Sequence, residues 1–336
     1  MSVAVFLRQY LSVHEAIEMA FYLITGVAGF IGSNIARELI RHGERVRGFD
    51  NFSTGKRENI ADIQPKVDFR QIDLSDRPGL RGACEGVDFV LHQAAIPSVP
   101  RSVAEPMITH DSNVNGTLNL LLAARDAGVK RVIFAASSSA YGDTVTLPKH
   151  EGMLPNPISP YAVQKVTGEL YMASFFRVYG LETVSLRYFN IFGPHQDPTS
   201  QYSGVLAKFI SNMLAGKACT IYGDGEQTRD FTYVENAVNA NLLACAAASD
   251  TVSGKVFNVA TGTRFSLNQT FKMLASIIGY SGQPRYEQSR TGDVRHSLAD
   301  ISKTRDALGY EPTIGFEAGL RRTVEWYRQH AANCIG

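Results

Sequence analysis

Residues 21–32 read Phe-Tyr-Leu-Ile-Thr-Gly-Val-Ala-Gly-Phe-Ile-Gly, and this stretch decides the fold. Five strand-forming residues run into Gly26, Gly29 and Gly32, and a helix-period pattern follows over 31–42. The first glycine allows a tight turn, the second lets backbone approach a pyrophosphate, and the third permits close packing of helix on strand. The helix amino terminus attracts negative charge. A glycine triplet alone is a weak signal, but here strand, spacing and helix agree.

Working outward, short β-rich runs at 21–25, 45–49, 67–71, 88–91, 131–136 and 183–188 alternate with helical patterns at 31–42, 109–127 and 161–179. Most of the runs are continuously apolar, as strands covered on both faces require. Gly43, Gly128 and Gly180 are the expected helix stops. The expected class is α/β, a Rossmann-type doubly wound parallel sheet. After residue 189 the rhythm changes, with helices expected at 205–215, 235–247, 267–278 and 316–328 and strands near Thr220 and Val256. This reads as a smaller mixed α/β carboxy-terminal lobe. The expected division is an amino-terminal extension at 1–20, a dinucleotide-binding domain at 21–189 and a substrate lobe at 190–330 interleaved with the last sheet strands. The residues before Phe21 precede any recognisable element, and Met19 is the expected start.

Composition narrows the function. With 336 residues, 44% hydrophobic and 19% charged, the chain has the make-up of a soluble globular protein. Its 33 basic and 32 acidic residues announce neither nucleic acid nor an anionic membrane as partner. No apolar run is long enough to span a bilayer. Cys84, Cys219, Cys245 and Cys334 show no paired spacing and read as reduced thiols of a cytoplasmic protein. His92 and His195 read as structural histidines, and no metal site is expected.

Asp50 stands 18 residues past Gly32 at the end of the second strand. A carboxylate there accepts both adenosine ribose hydroxyls and repels a ribose phosphate, which favours NAD over NADP. A capping aspartate in a turn would look the same. Asp73, after the third strand, reads either as a partner of the adenine amino group or as a solvated loop residue. Tyr161 and Lys165 form a Y-x-x-x-K pair one helical turn apart on the same face. For the phenol to act as a base near neutrality its pKa must fall by about three units, roughly 4 kcal/mol of differential stabilisation. A lysine and a cationic nicotinamide ring are the expected sources. Upstream, a buried strand ends in Ser137, Ser138 and Ser139, whose hydroxyls either bond the substrate oxygen and the tyrosine or satisfy backbone groups.

At this point the chain resembles the extended short-chain dehydrogenase/reductase family, and within it the UDP-hexose 4-epimerases, particularly those acting on UDP-N-acetylglucosamine. The resemblance rests on TGVAGFIG at 25–32, FDNFSTG at 49–55, HQAA at 92–95, SNVNGT at 112–117, YAVQK at 161–165, RYFNIFGP at 187–194, QTRDFTYV at 227–234 and RTGDVRHS at 290–297. It implies that Tyr161 is the catalytic base, Lys165 its tuner and cofactor ribose ligand, and Ser137 the serine facing the sugar, with Ser138 as the alternative. It also implies cofactor contacts from Phe30, Ile31, Asn51, Gly55, Leu74, Ala94, Ala95, Asn113 and Tyr188. Substrate contacts are implied for Ser98, Ser139, Asn190, Arg229, Arg290, Asp293 and Ser297. Arginine suits a diphosphate because its fork donates to two oxygens. A homodimer built on the helices carrying Leu118, Leu121, Leu122 and Val129 and carrying Tyr161 is implied as well, although that leucine stripe also reads as core.

Related dehydratases and decarboxylases place an acidic residue next to the catalytic hydroxyl, whereas here Ser138, Ser139 and Ala140 follow Ser137 and no carboxylate occurs before Asp143. What remains is reversible oxidation at C4 through a transient 4-keto sugar, with NAD regenerated in each turnover. Such a pocket needs small groups around the hexose, and Pro97, Ser98, Ser137 to Ser139 and Ser297 meet that need. Serine at 297 leaves space for an acetamido group, so the expected substrate is UDP-N-acetylglucosamine, with UDP-glucose as a further one. Pro97 stands where a glycine is expected in the N-acetyl-specific members. The alternatives are a UDP-glucuronate 4-epimerase, for which Arg101 is the nearest carboxylate partner, and a non-catalytic NAD-binding sensor.

Overall fold

A seven-stranded parallel sheet carries the molecule, and its strand order fixes where a ligand can sit. The computed structural model describes residues 19–198, 204–289 and 294–330. The strands are β1 (Phe21–Thr25), β2 (Arg45–Phe49), β3 (Asp68–Arg70), β4 (Phe89–His92), β5 (Arg131–Ser137), β6 (Glu182–Tyr188) and β7 (Lys255–Val259), ordered β7-β6-β5-β4-β1-β2-β3. The direction of winding reverses between β1 and β4, so a crevice opens above their carboxyl ends. Register is continuous there, pairing Thr25 with Phe49 and with His92, His92 with Phe134, and Ser137 with Tyr188.

Both sheet faces are covered, which is why the strands are apolar throughout. Leu23, Val90, Val132 and Phe134 pack on one side with α5 (Gly116–Asp126) and α6 (Pro160–Tyr179). Ile24, Ile133, Val184 and Phe257 pack on the other with α1 (Phe30–Arg41) and α8 (Val234–Ala246). Between these in sequence lie α2 (Arg77–Cys84), α3 (Val99–Ala104), α4 (Pro106–His110) and α7 (Val205–Leu214).

The structure refines the sequence expectations at several points. First, the helix expected over 109–127 is present but widens into a π-helical stretch at Asp111–Asn115, between α4, which ends at His110, and α5, which begins at Gly116. At that seam Leu74 sits where a Cβ on Gly116 would be, 2.7 Å from its own Cβ. Secondly, α2 was legible but unread, since Asp76 accepts a hydrogen bond from Gly79 N (3.1 Å) and Pro78 follows at the first turn. The leucine stripe serves the core, in agreement with that reading of it. Leu121 and Val129 are buried and Leu118 and Leu122 lean on the same core.

Residues 234–246 and 255–259 cover and extend the central sheet, so the carboxy-terminal stretch is woven into the sheet domain. Two buried arginines tie strands to helix ends. Arg47 on β2 donates to the carbonyls of Ala83 (2.9 Å) and Glu85 (3.0 Å) at the end of α2 and to Asp68 (2.6 Å). Arg131, the first residue of β5, donates to Ala244 (2.8 Å), Cys245 (3.0 Å) and Ala247 (2.8 Å) at the end of α8 and to Glu182 (2.7 Å). A guanidinium there neutralises the negative end of the helix dipole and satisfies carbonyls with no intrahelical partner. Replacing Arg131 with Met should therefore destabilise the fold by about 2–4 kcal/mol, because three buried carbonyls and Glu182 lose their donor. Urea denaturation of both proteins measures it.

Candidate active site

The crevice holds a cleft of about 570 Å³. Its floor is the glycine turn. Gly26 has φ +68°, and a Cβ there would lie 2.8 Å from Ala94 Cα; on Gly32 it would lie 2.3 Å from the Gly26 carbonyl. Strand, loop and helix thus approach closer than any side chain permits. Gly29, Phe30, Ile31 and Gly32 line this end of the cleft, with Ala94 and Ala95 opposite.

Asp50 lies at the far end beside Asn51, Asp73 and Leu74, all in the lining. Its Oδ2 accepts from Ala28 N (3.0 Å) and its Oδ1 from Phe52 N (2.8 Å), while burial pushes its carboxyl pKa up. Each oxygen keeps a second lone pair. Gly55 lies behind this carboxylate rather than in the cleft: a Cβ there would meet Asp50 Oδ2 at 2.7 Å, so the glycine gives clearance to the acid.

Asn113 holds the loop after β4: its side chain accepts from Ile96 N (2.8 Å) and donates to Ile96 O (3.2 Å) and Gln164 Oε1 (2.8 Å), which commits both its N–H groups and leaves one oxygen lone pair. Below it a directed chain runs through His92. Thr117 Oγ1 gives its proton to Asn113 O (2.7 Å) and so accepts from His92 Nε2–H (2.9 Å), which leaves His92 Nδ1 to accept from Thr25 Oγ1 (2.7 Å), itself an acceptor from Ala94 N (3.0 Å). Burial, with Lys165 nearby, pushes the His92 pKa down to about 3, so the ring is a neutral spacer.

Ser137, Tyr161 and Lys165 meet at the end of β5. Helix α6 is set by Ser159, whose hydroxyl accepts from Ala162 N (3.2 Å), with Pro160 in its first turn and Ser102 Oγ accepting from Tyr161 N (3.0 Å). Ser137 lies near enough to the Tyr161 phenol to favour its ionised form. Ser139 lies outside the cleft lining, and instead its N–H (3.1 Å) and hydroxyl (2.8 Å) both donate to Ser137 Oγ. With both lone pairs taken, the Ser137 hydroxyl can only donate, toward Tyr161 or a bound oxygen. Ser138 and Ser98 line the cleft beside it.

Lys165 Nζ donates to the Ala135 carbonyl (2.8 Å) and stands 6.0 Å from the centre of the Tyr161 ring. Burial pushes its own pKa down to about 8, opposed by Glu169 one turn on. Burial likewise drives Tyr161 up to about 12, with Ser137 pulling the other way. The lysine and serine do not by themselves deliver the downward shift that a base requires.

Tyr188 and Asn190 line the same corner, the latter at φ 40° with its amide on the Asp230 carbonyl (2.9 Å). Arg229 and Ser297 stand together on a neighbouring wall, outside the lining: Arg229 Nη1 donates to Thr228 O (3.0 Å), and buried Ser297 donates its N–H to the same carbonyl (3.0 Å). Asp230 braces that wall, accepting from Thr261 N (3.0 Å), Thr261 Oγ1 (2.8 Å), Gly262 N (3.1 Å) and Ala299 N (3.2 Å). Arg290 and Asp293 lie outside the described residues. Sequence reasoning missed Gln93, within the quoted HQAA segment, and a Lys56–Asp197 ion pair (2.9 Å) whose partners both line the cleft. Nothing local in the sequence joins positions so far apart.

The family model described as the NAD dependent epimerase/dehydratase family matches residues 22–260. The chain is 37% identical over 311 residues to a UDP-glucose 4-epimerase of Mycolicibacterium smegmatis, covering 91% of this chain and 98% of the relative. Among solved structures it is similar to a UDP-N-acetylglucosamine 4-epimerase from Methanobrevibacter ruminantium in complex with UDP-N-acetylmuramic acid (TM-score 0.89, 40% identity, 94% and 100% coverage). It is also similar to a Thermus thermophilus UDP-glucose 4-epimerase in complex with NAD (TM-score 0.83, 36% identity, 92% and 99% coverage).

The Lys165 environment makes a stability prediction. Its folded pKa, about 8, lies below the ordinary 10.5, so between those values the unfolded chain holds a proton that the folded chain has released. Stability from this group therefore rises with pH across that window, while below pH 8 the full cost of burying the cation is present. Relative to Lys165→Met, the protein should gain about 2 kcal/mol between pH 7.5 and 9.5. Urea denaturation at the two pH values measures it; parallel behaviour of the two proteins would contradict the assigned environment.

Proposed function

The chain belongs to the NAD dependent epimerase/dehydratase family, and from that membership we propose that it inverts the C4 centre of a UDP-sugar, UDP-N-acetylglucosamine foremost. The observation that carries the reading is the corner where Ser137, Tyr161 and Lys165 meet on the cleft lining, with no carboxylate beside Ser137 in that lining among the described residues. Asp143, the first carboxylate after the serines, accepts from Arg295 N (3.2 Å) and is not in the cleft lining. The acids that do line the cleft are Asp50 and Asp73, which follow β2 and β3, and Asp197, paired with Lys56 in the loop after β2. Elimination or decarboxylation chemistry would need an acid on the β5 side.

The residues present fit NAD. The glycine turn leaves backbone bare for a pyrophosphate, and Asp50 has free lone pairs for two ribose hydroxyls. When bound, NAD supplies a cationic ring that takes up and returns a hydride. Tyr161 receives the proton of the C4 hydroxyl and gives it back after the keto sugar has turned. Ser137, compelled to donate, stabilises the phenolate and the sugar oxygen in turn. Because the phenol stands near 12 in the protein, it becomes a base only in the loaded site. Residues 190–330 then serve as the substrate lobe, with Asn190 and Arg229 toward the nucleotide diphosphate.

Around Ser137 the lining is small or apolar, from Ile96, Pro97, Ser98 and Ser138, which leaves a hexose free to rotate and admits a C2 acetamido group. A uronate is less well served, since Arg101 already holds Glu105 (3.0 Å). Val103, Met107, Ile108, Val163 and Leu170 are exposed on α3, α4 and α6, which pack side by side. This apolar face supports a homodimer through those helices.

Purified protein without added cofactor should interconvert UDP-N-acetylglucosamine and UDP-N-acetylgalactosamine, and UDP-glucose more slowly, with UDP-glucuronate inert; a coupled assay on the three distinguishes them. Tyr161→Phe should lower turnover about 100- to 10,000-fold while NAD stays bound, and full activity would remove the assigned base. Met107→Glu combined with Leu170→Glu should convert a dimer to a monomer in light scattering.

A further inference from the structure

Gln93, Tyr188 and Asn241 close a ring of hydrogen bonds beneath the cleft. Asn241 Nδ2, on α8, donates to the Tyr188 hydroxyl (2.7 Å), that hydroxyl donates to Gln93 Oε1 (3.2 Å), and Gln93 Nε2 donates to Asn241 Oδ1 (3.1 Å). The second N–H of Asn241 goes to Ala237 O (2.7 Å), which fixes the orientation of its amide and therefore the sense of the whole ring. Each group gives one bond and takes one. The Gln93 amide is consequently held with its oxygen turned to Tyr188 and one N–H turned to Asn241. Its other N–H has no hydrogen-bond partner among the described residues, and Gln93 lines the cleft.

The place of that N–H is informative. Gln93 follows β4 directly, its N–H on the Thr25 carbonyl (3.3 Å) beside the Gly26 turn. Tyr188 stands in register with Ser137 on the adjoining strand. The ring thus spans from the glycine turn to the catalytic corner, under the half of the dinucleotide that carries the nicotinamide. We propose that Gln93 is a cofactor-binding residue, donating to an oxygen of the nicotinamide riboside phosphate, and that Asn241 is a positioning residue acting through it. This rests on the NAD reading of the cleft. It places a determinant of cofactor retention on α8, far along the chain from the glycine turn.

The test is the release rate of NAD from purified holoenzyme, followed by exchange against labelled NAD, which does not depend on any sugar substrate. Gln93→Leu should release NAD about tenfold faster, as the loss of one amide donor to a phosphate or ribose oxygen implies. Asn241→Leu, at a residue that does not itself line the cleft, should speed release severalfold. The double variant should be no faster than Gln93→Leu alone, because the asparagine acts through the glutamine. If Asn241→Leu fails to fold, Tyr188→Phe breaks the same ring by removing one hydroxyl and should speed release to a similar degree. Release within twofold of the parent in Gln93→Leu, or independent and multiplying effects in the double variant, would overturn the proposal. Loss of epimerase activity on every UDP-sugar with these release rates intact would instead count against the substrate reading alone.

Discussion

The cleft exists because backbone meets backbone at Gly26. A turn with positive φ, its own Gly26 carbonyl within reach of Gly32 on α1, and the Ala94 main chain all occupy the volume that side chains would need. That close approach brings the carboxyl ends of β1 and β4 together where the winding reverses, and every functional group stands at a set distance from it. Asp50 lies one strand to one side. Ser137 and Tyr188 lie one and two strands to the other.

Electrostatics at the catalytic corner follow from hydrogen-bond direction more than from net charge. Ser139 saturates the Ser137 oxygen and so forces its proton outward. Thr117, its proton committed to the Asn113 carbonyl, can only accept from His92 Nε2–H, which decides the tautomer of that ring. Lys165 is anchored on a carbonyl and loses part of its basicity to burial. Burial raises the Tyr161 phenol above its ordinary pKa, and Ser137 opposes that shift.

Much of the fold was legible because strands buried on both faces leave long apolar runs and glycines mark their ends. The cofactor turn, Asp50 and the Tyr161–Lys165 pair were legible for the same local reason, since one turn of helix or one strand end fixes their relation. What escaped were relations made only by folding. Asn113 lies in a quoted motif, yet its amide serves Ile96 and Gln164. Gly55 matters for the room it leaves Asp50, and Ser139 for the lone pairs it fills. Arg229 and Ser297 share the Thr228 carbonyl on a wall beside the cleft, a proximity that no spacing in sequence encodes.

Arg131 opens the strand that Ser137 closes, and it clamps the end of the helix that carries Asn241. The wall contributed by the later part of the chain is therefore riveted to the same rod as the reacting groups. Three hydrogen bonds from one guanidinium thus resist any separation of α8 from β5.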